Sequence, residues 1–334
     1  MKILVSVRQM VMSGTQVNAI DLAAALRSRH GCDVVLFGAP GPMVKFAEKQ
    51  GLRFLPSPEG PFCPYPGAMK ALRKAVLQEK PDLLHLWDWA QCLEAYLAVY
   101  LPMRIPMVVT DMLHDVSSIL PKQIPTTFGV PILVDQAKAD GRSPVEFIPP
   151  PVDVTQNAPG SVDAEPFRKR CGVEAGEVVL GTVSRLDPDM KTESLLRSLE
   201  VVKELARDFP IRFIITGDGV SRADLERRAA SINAELGRTV VVFSGALLDP
   251  RPAYAAADIV IGMGGSGLRA MAFAKPMVIV GKNGFAKLLC PETAESVYYN
   301  GIYGSGDGTN VTLIAALRRL LVDRKEIETL GRFS

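Results

Sequence analysis

Apolar residues fall in short continuous runs along this chain, and stretches of helical period lie between the runs. In the first half the pattern predicts strands at ILVSV, DVVLFG, DLLHLW, MVVTDM and VEFIP, with helices such as VNAIDLAAALRSRHG and MKALRKAVLQEK between them. In the second half it predicts strands at VVLGTVS, RFIITG, VVVFSG, DIVIGM and MVIVG, with helices including TESLLRSLEVVKELARDF and ADLERRAASINAELG. Strands that are apolar throughout, set between amphipathic helices, imply parallel strands covered on both faces. The last pattern, NVTLIAALRRLLVDRKEIETLGRFS, reads as one closing helix.

The alternation occurs twice, so the expected class is α/β with two Rossmann-like domains. The stretch from Pro149 to Pro166, PPPVDVTQNAPGSVDAEP, is poor in helix and strand formers and reads as the linker. The expected domains are residues 1–155 and 156–334. Open α/β sheets bind ligands beyond the carboxyl ends of their strands. Two such sheets facing each other predict a cleft between domains.

The length of 334 residues suits two domains, and 48% hydrophobic with 22% charged residues suits a soluble enzyme. Up to residue 155 there are 15 basic and 14 acidic residues, and 23 and 22 after it. Neither half has the basic excess that nucleic acid requires, so no nucleic-acid partner is expected. The same balance weakens a polybasic membrane surface and favours a soluble acceptor. Cys32, Cys63, Cys92, Cys171 and Cys290 are widely spaced with no CxxC pair, which suits a reducing cytoplasm. Arg8 and Gln9 interrupt the first apolar run, so it makes a poor signal peptide. No apolar run is long enough to span a bilayer.

The loops after the second-half strands gather candidate chemistry on one sheet edge. Arg185 and Lys191 follow the first strand, Gly217 to Gly219 the second, and Gly245 the third. Gly264, Gly265, Ser266 and Gly267 follow the fourth, just ahead of a helix. Taken singly, a glycine cluster is a turn and a cation after a strand is a surface residue. Together they fit a diphosphate: helix N–H groups on one side, a guanidinium and an ammonium on the other. Ser266 is placed to cap that helix or to bond a phosphate oxygen.

These segments, TVSRLDPDMKTESLL, FIITGDG, VVFSGAL, YAAADIVIGM and RAMAFAKPMV, resemble in order and spacing the second domain of the retaining GT-B glycosyltransferases of the GT4-like group. PPPVDV and MSGTQVNAIDLAAAL are similar to that family's linker and first glycine loop. The resemblance implies a GT-B fold and a nucleoside diphosphate sugar donor, with a UDP-sugar favoured and no cofactor. It implies Arg185 and Lys191 on the leaving diphosphate. It also implies donor contacts from Gly14, Gly217, Gly245, Gly264, Gly265, Ser266, Gly267, Leu268 and Arg269. His114 sits near a family histidine that faces the sugar, with Asp111 and Asp115 as competitors. Trp87, Trp89 and Asp111 are candidates for a glycan or small-molecule acceptor, the tryptophans equally for packing at a helix start.

Two departures stand out. The family carries two glutamates eight positions apart, and here those positions hold Ile261 and Arg269. The family also tends to close with a helix returning to the first domain, and no segment follows the last pattern here. The implied reaction is metal-independent hexosyl transfer with retention. A nucleotide-sugar epimerase of the same fold and a catalytically silent sugar-nucleotide-binding subunit are the alternatives. A hydrolase reading of GGSGL with Ser266 as nucleophile lacks a histidine after the serine, since His30, His85 and His114 all precede it. No His/Cys cluster has zinc spacing. No GxGxxG follows the first strand, which argues against a dehydrogenase.

Overall fold

The computed structural model describes residues 1–112, 115–188 and 190–334. The chain divides into two compact units, Met1–Pro151 and Val152–Ser334.

In the N-terminal unit the strands are β1 (Lys2–Gln9), β2 (Asp33–Ala39), β3 (Arg53–Pro56), β4 (Leu83–Trp87), β5 (Met107–Asp111), β6 (Thr126–Phe128) and β7 (Val145–Phe147). They form one parallel sheet in the order β3-β2-β1-β4-β5-β6-β7. In the C-terminal unit they are β8 (Val178–Val183), β9 (Ile211–Thr216), β10 (Val241–Gly245), β11 (Ile259–Gly262), β12 (Met277–Val280) and β13 (Ala286–Leu288). The order is β10-β9-β8-β11-β12-β13, parallel except for the antiparallel β13. Three strands are additions to the sequence expectation. β3, β6 and β13 have three or four residues each, too few to show a period.

The apolar strands are buried on both faces for the reason the sequence suggested. Along β1, Leu4 enters one core while Ile3 and Val5 enter the core on the opposite face. Along β8, Val178 and Leu180 enter one core and Val179 the other. Each such residue contributes about 1.5–3 kcal/mol through burial. The helices supply matching stripes. In Gly14–His30 the buried positions are Gln16, Ala19, Ile20 and Ala23, at helical spacing, and Gly31 ends the helix at φ 64°. The final pattern makes two helices rather than one. Val311–Val322 stops at Asp323, whose carboxylate caps Arg324–Phe333 by accepting from the Lys325 N–H at 2.9 Å.

One polar chain crosses the N-terminal core. His85 Nε2 lies 2.7 Å from the Thr110 hydroxyl, which lies 2.9 Å from that of Thr127. Burial pulls the His85 pKa down to about 4. The folded value thus lies below the unfolded one, near 6.5. The unfolded chain binds the extra proton between those two pH values, so stability is full above about pH 6.5 and is lost as pH falls toward 4. Wild-type protein should lose about 3 kcal/mol to this group over that window, as 1 pKa unit is about 1.4 kcal/mol. Urea unfolding of wild type and His85→Asn at pH 7 and pH 4.5 checks it. The gap between the two proteins should shrink at the lower pH, and a constant gap would remove His85 from the acid response.

Candidate functional site

In the C-terminal sheet, β8 and β11 are neighbours although β9 and β10 lie between them in sequence. The crossover direction reverses there, so the crevice beyond their carboxyl ends is the expected ligand position. Arg185 follows β8, and the helix Gly264–Ala272 follows β11.

The loop carrying Arg185 is fastened to the loop after β9. Leu186 is fully buried; its N–H donates to the Asp218 carbonyl at 2.9 Å and its carbonyl accepts from the Ser221 N–H at 2.8 Å. Thr192 donates to the Asp187 carbonyl and bonds the Ser221 hydroxyl at 2.9 Å. Gly217 sits so close to Ser184 that a Cβ would stand 1.8 Å from its carbonyl oxygen. Its N–H donates to the Gly245 carbonyl at 3.1 Å. Gly245 itself turns at φ 78°.

With its neighbours fixed, Arg185 is exposed and pairs with Asp187 at 3.0 Å. Lys191 opens the helix Met190–Leu205 and is half-buried. Burial lowers its pKa, and the positive charge of Arg185 lowers it further, against a smaller pull from Asp187. Two cations held close enough to repel, one of them partly desolvated, make this loop a candidate for binding an anion.

The helix Gly264–Ala272 begins at Met263, an extended N-cap with no side-chain hydrogen bond. Gly264, at φ 55°, donates its N–H to the Ile302 carbonyl at 2.9 Å. Helix geometry leaves the N–H groups of Gly265 and Ser266 without an intrahelical acceptor. Ser266 is not the cap, because its hydroxyl donates to the Met263 carbonyl at 2.8 Å. Gly267 is buried inside the helix, and Leu268 packs its side chain on the core around Phe273. Arg269 is half-buried and lies near enough to Asp249 and Tyr254 to act on both electrostatically. Ile261 is 2% exposed within β11 and contributes to the core.

A further network escaped the sequence reading. The Glu193 carboxylate accepts from the Asn283 N–H at 3.2 Å and from the Gly284 N–H. Arg197 bonds Glu193 at 2.8 Å, the Gly308 carbonyl at 2.9 Å and the Asn310 side chain at 3.1 Å. The loop after β12, including Lys282, is thereby tied to the helix that starts beside Lys191. No motif spacing announces this, since the partners lie about 90 and 110 positions apart.

In the N-terminal sheet the reversal lies between β1 and β4. Gly14 opens the helix after β1, is exposed, and a Cβ there would meet nothing within 4 Å. The acceptor candidates fare unevenly. Trp87 is 2% exposed, packed in the core with its ring 5.3 Å from that of His85, so it offers no free face. Asp111 is fully buried at the end of β5. Trp89 is half-buried against the opposite core, and Asp115 is exposed. His114 lies outside the described residues. Between the tryptophans stands Asp88, which the sequence reading passed over. It adopts φ 67°, rare for a residue other than glycine, and accepts from the Met112 N–H at 3.2 Å. Burial raises its pKa. A pocket of mixed lining at the helix that Asp88 opens includes Arg8, Glu59, Gln91 and Glu94 beside Phe37 and Phe62.

Among the described residues no group of three or more His, Cys, Asp or Glu side chains could hold a metal ion. Nor is any helix among them long and apolar enough to cross a membrane.

Two family models match the chain: Glycosyltransferase Family 4 over residues 12–117, and Glycosyl transferases group 1 over residues 177–323. No curated protein matches it in sequence. Among solved structures it is similar to a glycosyltransferase from Rickettsia africae ESF-5, with TM-score 0.76 and 16% identity over 99% of this chain and 92% of that one. It is similar to Anabaena HepE in complex with UDP-glucose, with TM-score 0.75 and 18% identity over 99% and 92%. It is also similar to a UDP-GlcNAc 2-epimerase from Methanocaldococcus jannaschii, with TM-score 0.61 and 14% identity over 99% and 97%.

Gly217 and Gly265 give opposite expectations. Gly217→Ala drives a Cβ into a carbonyl oxygen at φ 148° and should destabilise by about 2–4 kcal/mol. Gly265→Ala meets nothing within 4 Å in a helix and should be neutral or slightly stabilising. Urea midpoints of the two variants check this, and equal effects would refute the close approach of the two loops.

Proposed function

We propose, for a chain that is a GT4-like glycosyltransferase of the GT-B fold, that it moves a hexose from a UDP-sugar to a hydroxyl acceptor with retention and without a metal. The observation that supports this reading is the gathering of two cations and a helix start beyond β8 and β11. Arg185 and Lys191 approach from one loop, and the uncapped helix at Gly265 and Ser266 from the next strand.

As the bond between the anomeric carbon and the diphosphate oxygen breaks, the electron pair leaves on the diphosphate. Arg185, Lys191 and the helix N–H groups stabilise that charge. An acceptor oxygen bonds the anomeric carbon on the face the diphosphate leaves, and its proton passes to a phosphate oxygen. The two cations and the helix take the part a divalent ion plays in other transferases, which is why metal independence is expected. Asp187 holds Arg185 until the diphosphate competes for it. The loop from Lys282 to Phe285, tied to Glu193, would present backbone to the sugar.

Thermal shift with UDP-, GDP-, TDP- and ADP-sugars tests this. UDP-sugars should stabilise selectively, with or without EDTA, and Arg185→Ala should weaken binding about 10–100-fold, as for loss of a charged hydrogen bond. No shift from any nucleotide sugar would favour the silent subunit, and loss of the shift with EDTA would refute metal independence.

The lowered pKa of Lys191 gives a separate signature. Its ammonium form binds the diphosphate, so affinity should fall as pH rises, beginning below the ordinary lysine value of 10.5. Lys191→Arg should push that limb to higher pH, because a guanidinium stays charged. Titration of UDP affinity against pH reads it, and an alkaline limb unchanged by Lys191→Arg would remove this lysine from the site.

A further inference from the structure

We propose that a pocket in the N-terminal unit binds a compact polyhydroxylated ring, a sugar or cyclitol that carries no acid group. The pocket lies where β1 and β2 run out of the core. Leu4 of β1 and Val35 and Phe37 of β2 enter one core with the helices Pro66–Glu79 and Asp88–Ala95. Strand alternation turns Ser6, two residues after Leu4, to the same face. There the two helices contribute Ala68 and Ala90, side chains too short to fill the space.

Two polar side chains in the lining make no hydrogen bond to another described residue. Ser6 is 3% exposed and Gln91 6% exposed, and their polar atoms open on the pocket instead of being sealed off. Burying a hydroxyl and an amide without partners is unfavourable, and such groups are normally satisfied by the protein, by water or by a ligand. Here two of them share one pocket. Both can donate and accept, which is also what a ring hydroxyl does.

The walls distinguish a ring from water alone. Phe62 is 57% exposed and meets Tyr65 edge to face, with ring centroids 5.8 Å apart. Tyr65 is held close to its loop, since a Cβ on Gly60 would stand 2.1 Å from its ring. An exposed aromatic ring beside polar groups offers an apolar surface to the C–H face of a sugar. Charge sets the remaining limit. Glu59 and Glu94 line the pocket against one guanidinium, that of Arg8. Glu94 accepts from the Tyr65 N–H at 2.9 Å and forms no ion pair among the described residues. A phosphate or carboxylate on the ligand would meet an excess of negative charge, whereas an amino group would not.

Resting on the transfer reading above, this ring is the acceptor. The binding claim stands without that reading.

The test is ligand-observed NMR titration of the full chain with glucose, glucosamine and myo-inositol, with glucose 6-phosphate and cyclohexanol as controls. At least one of the three polyols should bind, and the two controls should not. Gln91→Leu and Ser6→Ala should each weaken that binding about tenfold, as for loss of a neutral hydrogen bond. Each variant removes a buried polar group that has no partner, so its unfolding midpoint should be unchanged or raised. Binding by none of the polyols, equal binding of either control, or undiminished binding in both variants would overturn the proposal. A midpoint lowered in both variants would assign the two side chains to the fold and overturn it equally. The UDP-sugar thermal shift should persist in both variants, so failure of the donor reading and failure of this one are separate results. With the UDP-sugar that gives the shift, the bound polyol should speed UDP release, and binding without that acceleration would overturn the acceptor role.

Discussion

Leu186, wholly buried between two exposed loops, holds the charged edge of the C-terminal unit in place. Its side chain belongs to the main core, while its N–H and carbonyl bond the loop after the next strand. A loop anchored only by backbone hydrogen bonds would exchange them with water at little net cost. A buried leucine adds about 1.5–3 kcal/mol that water cannot replace. Arg185, one residue away, is therefore displayed from a fixed point although it is itself exposed. Gly217 completes the constraint, because only a residue without a side chain lets the two loops come this close.

That rigidity explains how the chain tolerates two neighbouring cations. Their repulsion costs free energy in the unliganded protein and is offset in part by Asp187. An anion entering between them relieves the repulsion as well as adding its own attraction, so its binding gains more than the contacts alone supply. The arrangement also extends outward. Glu193 lies two residues beyond Lys191 and carries the loop after β12, so the first turn of one helix orders both the ammonium and a distant backbone segment. A carboxylate at a helix start is itself favoured by the helix dipole, which makes this a natural place to fasten another loop.

Much of the fold was legible because burial on two faces forces continuous apolar strands, and amphipathic helices must lie between them. The longer strands and helices were read in this way, and the charged loops followed from their position at strand ends. What escaped has a common cause. Trp87 was open in sequence between an acceptor platform and packing, and strand alternation turns it into the core beside His85. Asp88 was masked by two aromatic neighbours, although its backbone conformation marks it out. Glu193 and Arg197 act on residues about 90 and 110 positions away, and no local pattern encodes such a pairing. Ser266 was open between a helix cap and a phosphate contact, and its position within the first turn removes the cap, since it donates to the Met263 carbonyl. The double helix at the end was missed because a single aspartate broke the pattern without a glycine or proline.

The two replaced glutamates bear on what a donor can be recognised by. Ile261 is inside β11 with its side chain in the core, so this position offers a ligand no side-chain hydrogen bond. Arg269 supplies donors only, where a carboxylate would supply acceptors. Sugar and ribose hydroxyls can both donate and accept, so the change does not forbid binding. It shifts recognition from carboxylates, which sort hydroxyl stereochemistry by accepting, to cations and backbone, which favour charge. On the proposed reading, affinity should then reside mainly in the diphosphate, and discrimination among sugars in the backbone of the loop that Glu193 holds. A rigid loop is a necessary part of that arrangement, because backbone groups select a hydroxyl only when they cannot move to suit another.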